Sequence, residues 1–72
     1  MSASNYYHAE IRKIKRITED AMQIECEDDD IGTIWVPLST VADAFQYEEG
    51  DEAVTVSILE WMAKQKGFDT GS

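Results

Sequence analysis

Residues 22–27 read Met-Gln-Ile-Glu-Cys-Glu, and this stretch decides the fold. Apolar and polar side chains alternate at every step, and successive side chains of a β-strand point to opposite faces of a sheet. The stretch therefore predicts a half-buried antiparallel strand in which Met22, Ile24 and Cys26 face a core. Glu25 is expected on the opposite, solvent-facing side.

The segment before this strand, residues 7–17, predicts a strand with an irregular register. Ile11, Ile14 and Ile17 are three residues apart, which matches a helix better than a regular strand. Their β-branched side chains disfavour the helix, and a bulge shifts the phase of a strand by one residue. We therefore expect a strand with a bulge near Arg12–Lys13.

Two further strands are predicted downstream. Residues 31–36 predict the third strand, in which Ile34 and Val36 face the core and Trp35 points to the opposite face. Pro37 ends this strand, because proline lacks the N–H group that a sheet uses. Residues 53–58 repeat the alternation with valine and isoleucine and predict the fourth strand.

A short helical insert is expected between the third and fourth strands. Thr40 and Asp43 are spaced as in a capping box, with Asp in place of the usual Glu. A helix that begins there turns Val41, Ala44 and Phe45 to a common inward face. The sequence thus predicts that Phe45 is a core residue.

A last helix is predicted over residues 59–66. Ser57 and Glu60 fit a second capping box, and Gly67 provides the stop. A helix this short is unstable alone and depends on packing. The available anchors are Trp61, Met62 and Phe68, and we expect Trp61 to be a core residue that packs the helix on the barrel.

The order of these elements predicts a mainly β fold. Strand, strand, strand, short helix, strand and helix indicate a small SH3-like or OB-like antiparallel barrel of about four to five strands with a helical insert and a C-terminal helix. A four-stranded sheet packed on the last helix is the alternative. We expect one domain over residues 1–72, with an ordered core at residues 7–68.

The charge of the chain is strongly negative and unevenly distributed. Fifteen acidic residues against six basic ones give a formal net charge of −9. Such a chain repels phosphate backbones, which disfavours general nucleic-acid binding. The uneven distribution indicates a charged partner surface. Four of the six bases lie in the first predicted strand: Arg12, Lys13, Lys15 and Arg16.

Nothing in the sequence indicates a disulfide, a zinc site or a membrane segment. Cys26 is the single cysteine and His8 the single histidine, whereas a disulfide needs two cysteines and structural zinc needs four ligands. No apolar run approaches the ~20 residues of a membrane helix. Residues 1–10 lack the apolar core of a signal peptide. We expect a cytoplasmic protein.

No residue pattern predicts catalysis, a metal site or a cofactor. Acid–base catalysis needs two carboxyl groups in different environments, and most carboxylates here fall in predicted turns. His8 lies close to the chain terminus, and Ser39 follows no nucleophile-elbow sequence. Residues 28–30, three aspartates, lack the alternation and the sixth-position glycine of an EF-hand. A non-enzymatic protein is expected.

The acidic residues form two runs that are expected to share one surface. The first continues from the second strand into a turn, and the second surrounds Gly50. In so small a domain the runs lie within a few Debye lengths, each about 8 Å in physiological salt, so their fields add and steer a basic partner. The predicted partner-binding residues of this acidic face are Glu25, Glu27, Asp28, Asp29, Asp30, Glu48, Glu49, Asp51 and Glu52.

Two other surfaces are alternatives to the acidic face as the binding site. An apolar patch of Trp35 and Leu38, or an exposed sheet edge, would mediate dimerisation or docking. The alternative function is single-stranded nucleic-acid binding by an OB-like barrel, in which aromatic side chains stack on bases. Its predicted contacts are Tyr6, Tyr7, Arg12, Lys13, Lys15 and Arg16, with Trp35 and Tyr47 as further stacking candidates.

Three motifs resemble a group of small phage and prophage proteins. They are Trp-Val-Pro-Leu-Ser at residues 35–39, Glu-Gly-Asp at 49–51, and Glu-Trp-Met-Ala at 60–63 with its later Gly67. In that group the first motif reads Trp-Ile-Pro-Lys-Ser, so Leu38 stands where the group often has a base. This departure weakens a nucleic-acid role and enlarges the apolar surface. The resemblance spans residues 10–68.

The resemblance implies a protein of phage or mobile-element origin. The group is largely uncharacterised, some members resemble accessory factors of phage DNA metabolism, and small acidic phage domains include anti-CRISPR inhibitors. The sequence therefore predicts a protein-binding module whose acidic surface engages a basic, nucleic-acid-binding protein of host or phage, for example as an anti-CRISPR or other anti-defence inhibitor in the host cytoplasm. A homodimer is compatible with this prediction, nucleic acid is a partner only in the alternative, and no membrane is involved.

Overall fold

The computed structural model describes residues 5–68, which form a mainly β fold with a C-terminal helix. The predicted fold class is confirmed. Residues 1–4 and 69–72, which the sequence places outside the ordered core, lie outside the described residues. In chain order the elements are β1 (Tyr6–Ile17), β2 (Ala21–Cys26), β3 (Thr33–Pro37), two 3₁₀ turns (Leu38–Thr40 and Ala44–Gln46), β4 (Glu52–Leu59) and α1 (Glu60–Gln65).

The four strands form one antiparallel sheet in the order β3-β2-β1-β4. After β3 the chain returns to the free edge of β4, where Val41 forms an isolated bridge with Ile58. The Ala42 N–H donates to the Ser57 carbonyl at 2.9 Å. This return gives the sheet a barrel-like closure on the β4 side.

Strand β1 contains the predicted bulge and a second one. Its register against β2 shifts between Ile11 and Lys13, and again between Ile14 and Arg16. Each shift inserts an extra residue, so side chains spaced by three return to the same face. Ile11 and Ile14 are fully buried, and Ile17 packs against the same core.

The core lies on the inner face of the sheet and continues under α1. The alternating residues of β2 and β4 supply much of it, as their pattern predicts. Burying one large aliphatic side chain contributes about 1.5–3 kcal/mol, so a core of this size suffices only for a small domain. Its buried apolar residues are Ala9, Ile11, Ile14, Met22, Ile24, Cys26, Val36, Val41, Val56, Ile58, Met62, Ala63 and Phe68.

The predicted helical insert is present as two 3₁₀ turns, but its predicted cap and the inward position of Phe45 are wrong. The segment forms two 3₁₀ turns without side-chain caps, and the Thr40 hydroxyl instead donates to the Pro37 carbonyl at 2.7 Å. Asp43 takes a left-handed conformation with φ 51°, which breaks any continuous helix through this segment. Phe45 consequently turns outward and is 88% exposed, so its prediction as a core residue is wrong.

The last helix is present, but its predicted cap is absent, and of the three predicted anchors Met62 and Phe68 are buried whereas Trp61 is not. Ser57 stays in β4, where its hydroxyl is 2.8 Å from Nδ1 of His8, and Trp61 is 53% exposed. Gly67 stops the helix with φ 99°. The Phe68 N–H then donates to the Ala63 carbonyl at 3.0 Å, a Schellman ending that turns the following apolar residue inward. Phe68 therefore takes the anchoring role expected of Trp61.

Candidate functional site

One row of side chains connects the two acidic runs across the sheet. We call the side of the sheet that points away from the core the outer face. Lys13 of β1 is the Cα partner of Glu25 on β2 and of Glu52 on β4. Neighbouring strands are about 4.8 Å apart, so the backbones of Glu25 and Glu52 are about 10 Å apart. This separation is close to one Debye length, so the two runs act as one field.

Arg12 lies at the centre of the first acidic run. Its guanidinium is 3.4 Å from Glu25 Oε2, 4.0 Å from Glu27 Oε1 and 3.4 Å from Asp29 Oδ1. Desolvation lowers the pKa of Arg12, but the charges of Asp29, Glu27 and Glu25 raise it by more. These are the only salt bridges among residues 5–68. Three carboxylates of the first acidic run therefore surround one guanidinium, so the run retains a net negative charge.

The aspartate turn between β2 and β3 presents its side chains to solvent. Asp28 shapes the turn: its carboxylate accepts the Asp30 N–H at 2.9 Å and its carbonyl accepts the Gly32 N–H at 3.0 Å. The side chain of Asp29 is 89% exposed, and Asp30 is exposed as well. Two of the three aspartates are thus held outward by the third.

The second acidic run is divided between structural and solvent-facing carboxylates. Glu49 Oε2 accepts the Ile17 N–H at 2.9 Å, which fixes the loop to the end of β1. Asp51 Oδ2 accepts the Glu48 N–H at 3.0 Å and closes the turn. Glu48 and Glu52 are exposed. Within this run, Glu48 and Glu52 are therefore the better candidates for contact with a partner.

The predicted apolar patch is reduced to one residue. Trp35 is 42% exposed on the outer face, where its Cα partner on β2 is Gln23. Gln23 is in turn the partner of Arg16 on β1. Leu38 lies in the first 3₁₀ turn and packs against the core. Trp35 is therefore the exposed member of the predicted pair.

The contacts predicted for nucleic acid are scattered. Tyr7 packs against Phe68 with ring centroids 5.3 Å apart, and the Tyr47 hydroxyl donates to the Thr55 carbonyl at 3.1 Å. Tyr6 is 43% exposed at the far end of β1. Of the four bases on β1, Arg12 is held by carboxylates and Lys13 lies between two glutamates. Lys15 and Arg16 are the two of these four that are exposed and form no salt bridge with residues 5–68.

Two exposed aromatic residues were missed by the sequence analysis. Phe45 protrudes from the second 3₁₀ turn. The sequence did not indicate this, because a capping box describes only how a helix begins and not how its side chains pack on the rest of the fold. Trp61 is exposed because Met62 and Ala63 supply the inward face of α1. Here a signal existed: Gly67 followed by an apolar residue is the sequence of a Schellman ending.

Residues 5–68 contain no pocket and no group of three or more metal-ligating side chains. None of the helices in this part of the chain has the length and apolar content that crossing a membrane requires. Cys26 is the buried free thiol of β2. Burial, and secondarily the charge of Asp28, raises its pKa to about 11, which suppresses the reactive thiolate at neutral pH.

Comparison of the chain with protein-family models, with curated proteins and with solved structures finds no match in any of the three.

Proposed function

We propose that this chain is a non-enzymatic protein-binding module whose acidic surface engages a basic protein, of the kind that itself binds nucleic acid. The observation that supports this most is the cluster around Arg12, where three carboxylates converge on one guanidinium at 3.4–4.0 Å. The same carboxylates offer a partner's arginine or lysine the charge-assisted contacts that they give Arg12. An inhibitor of host defence, as implied by the resemblance to phage proteins, is the biological role that this chemistry fits.

The distribution of charge supports a protein partner over a nucleic acid. Four of the six basic residues lie on the central strand β1, and acidic residues flank them on both β2 and β4. A phosphate backbone that approached Lys13 would meet Glu25 on one side and Glu52 on the other. An extended basic segment would meet negative charge on both sides of β1, which favours its approach.

Single-stranded nucleic-acid binding remains the second candidate because of one row on the outer face. Trp35, Gln23 and Arg16 are successive partners across β3, β2 and β1. A partly exposed indole and an exposed guanidinium in one row could stack on a base and contact phosphate. The row is short, and the acidic run lies beside it.

The two candidates are separated by measuring fluorescence anisotropy at low salt with two labelled probes, a twenty-residue oligothymidine and a polyarginine peptide. We expect binding of the peptide and none of the oligothymidine. The matched variants are Asp28→Asn/Asp29→Asn/Asp30→Asn and, outside the two acidic runs, Glu10→Gln/Asp43→Asn/Glu60→Gln, which remove equal charge. Oligothymidine binding that is lost in Trp35→Ala would contradict the proposal and support the second candidate.

A further inference from the structure

The two edges of the sheet use their backbone groups differently. At the β4 edge, the Thr55 carbonyl accepts the Tyr47 hydroxyl and the Ser57 carbonyl accepts the Ala42 N–H. At the β3 edge, none of the backbone hydrogen bonds from turns and loops in residues 5–68 reaches Thr33 or Trp35. Within residues 5–68 the chain thus covers one edge and forms no such hydrogen bond to the other, which we call the open edge.

The register of the β2–β3 hairpin shows which residues bond to β2. The Cys26 N–H donates to the Gly32 carbonyl at 2.9 Å. In an antiparallel ladder the bonded pairs recur at every second residue, and the register of β2 against β3 has no shift along its length. Ile34 and Val36 therefore bond to β2.

The residues between them direct their backbone groups outward. Thr33 and Trp35 point their N–H and C=O groups away from β2, toward the open edge. Pro37, two residues after Trp35, has the same outward backbone orientation. It has no N–H, and its carbonyl already accepts the Thr40 hydroxyl at 2.7 Å. The open edge therefore offers two donors and two acceptors over three residues, beside the exposed indole of Trp35.

Acidic side chains flank this edge at both of its ends. The aspartate turn, residues 28–30, precedes β3, and all three aspartates are exposed. At the other end the Leu38 N–H donates to the Asp20 carbonyl at 2.9 Å, which places the exposed Glu19 and Asp20 beside the end of the strand. Charge complementarity therefore selects an occupant with basic residues on both sides of a short β-forming stretch.

A second copy of the chain is a poor occupant. Two antiparallel β3 edges would bring residues 28–30 of one copy toward Glu19 and Asp20 of the other, and each chain carries a formal charge of −9. Like charges placed opposite each other destabilise strand pairing.

We propose that the β3 edge binds an extended basic segment of the partner as an added fifth strand. The backbone of Thr33 and Trp35 supplies the hydrogen bonds, the indole contacts side chains on the outer face, and the flanking carboxylates pair with basic residues at the two ends. This inference rests on the proposed function and specifies how the partner is held.

The first test is amide hydrogen exchange of the protein alone, followed by NMR. Thr33 and Trp35 should exchange far faster than Ile34 and Val36, which lie in the same strand and serve as internal controls. Equal protection of all four amides would overturn the proposal, because the edge would already be occupied. Protection that appears only as the protein concentration rises would also overturn it, in favour of self-association.

The second test titrates the protein with the peptide Lys-Arg-Val-Thr-Val-Thr-Val-Arg-Lys, with Glu-Glu-Val-Thr-Val-Thr-Val-Glu-Glu as control. The basic peptide should slow exchange of the Thr33 and Trp35 amides, and the acidic peptide should not. Thr33→Pro, which removes an outward N–H, should weaken binding at least tenfold relative to Thr33→Val, which keeps it. Circular dichroism of both variants checks that the sheet is intact, and a third variant, Trp35→Thr, keeps the edge while removing the indole.

The outcomes separate this inference from the proposed function. If the basic peptide shifts only the aspartate turn, and Thr33→Pro binds as well as Thr33→Val, the edge is not used although the acidic surface is. If the basic peptide binds nowhere, both the inference and the proposed function fail.

Discussion

The replacement Ile14→Ala tests the arrangement on which the whole sheet depends. Ile14 lies on the central strand between the two bulges and is 0% exposed. Its N–H donates to the Asp51 carbonyl at 2.8 Å and its carbonyl accepts the Gly50 N–H at 2.7 Å, so the surroundings are fixed and relax little. Removing a fully buried isoleucine side chain costs about 2–5 kcal/mol.

This loss is large against the stability of so small a domain. A chain of 72 residues has an expected unfolding free energy of about 4–11 kcal/mol, at 0.05–0.15 kcal/mol per residue. Urea unfolding followed by tryptophan fluorescence and by circular dichroism measures the change. Ile17→Ala, at a half-buried position, should cost about half as much, and Lys15→Ala, at the exposed second bulge, less than about 0.5 kcal/mol.

The refuting result is equally specific. If Ile14→Ala costs less than about 1 kcal/mol, or less than Ile17→Ala, then the bulges do not turn Ile14 inward. The position of the whole of β1 in the sheet would then be wrong.

Three further predictions concern the helix, the thiol and the arginine. Phe68→Ala should cost about 3–5 kcal/mol and Trp61→Ala markedly less, as measured by urea unfolding; the reverse order would restore Trp61 as the anchor. At pH 8 a thiol with a pKa of about 11 is about 0.1% thiolate, against about 9% at the ordinary 9.0; since the side chain is also buried, Cys26 should react with a disulfide reagent at least about tenfold more slowly in the native protein than in urea. Because folding raises this pKa, its contribution to stability is present below pH 9 and is lost as pH rises toward 11, and titration of unfolding free energy over that range checks the sign. Arg12→Gln should leave the unfolding free energy nearly unchanged, since exposed ion pairs contribute little, and should speed association with a basic partner because three carboxylates are released; slower association would place Arg12 itself in the interface.

The strands were predictable because their signal is periodic and local. The alternation in residues 22–27 fixed β2, and isoleucines spaced by three, together with β-branching, indicated the bulge at Arg12. The second bulge at Lys15 follows from the same spacing. Trp35 was correctly placed on the outer face by its position between Ile34 and Val36.

The insert and the anchor of α1 were not predictable from capping boxes. The Thr40 hydroxyl donates to the Pro37 carbonyl and does not cap a helix. Ser57 lies within β4, because the strand continues to Leu59. For Thr40 a competing local hydrogen bond outweighed the capping signal, and for Ser57 strand pairing did. Trp61 faces outward because Met62 and Ala63 form the inward face of α1, whereas the Schellman ending at Gly67 turns Phe68 inward.

The surface could be predicted as a set of residues but not as a set of contacts. Composition identified the acidic runs and the basic strand. That Arg12 sits among three of those acids follows from the register of β1 against β2, which a single sequence does not specify. The open β3 edge likewise depends on which residues bond to β2.

The most direct test of the proposed function is the association rate with a partner captured from lysate and then purified, measured by stopped flow over a series of salt concentrations. The wild type should associate quickly and slow steeply with salt. Asp28→Asn/Asp29→Asn/Asp30→Asn should be slower with a flatter salt dependence than the Glu10→Gln/Asp43→Asn/Glu60→Gln control of equal charge, whose residues lie outside the two acidic runs. Identical rates and slopes for the two triple variants would mean that net charge alone acts, and would contradict a specific acidic surface.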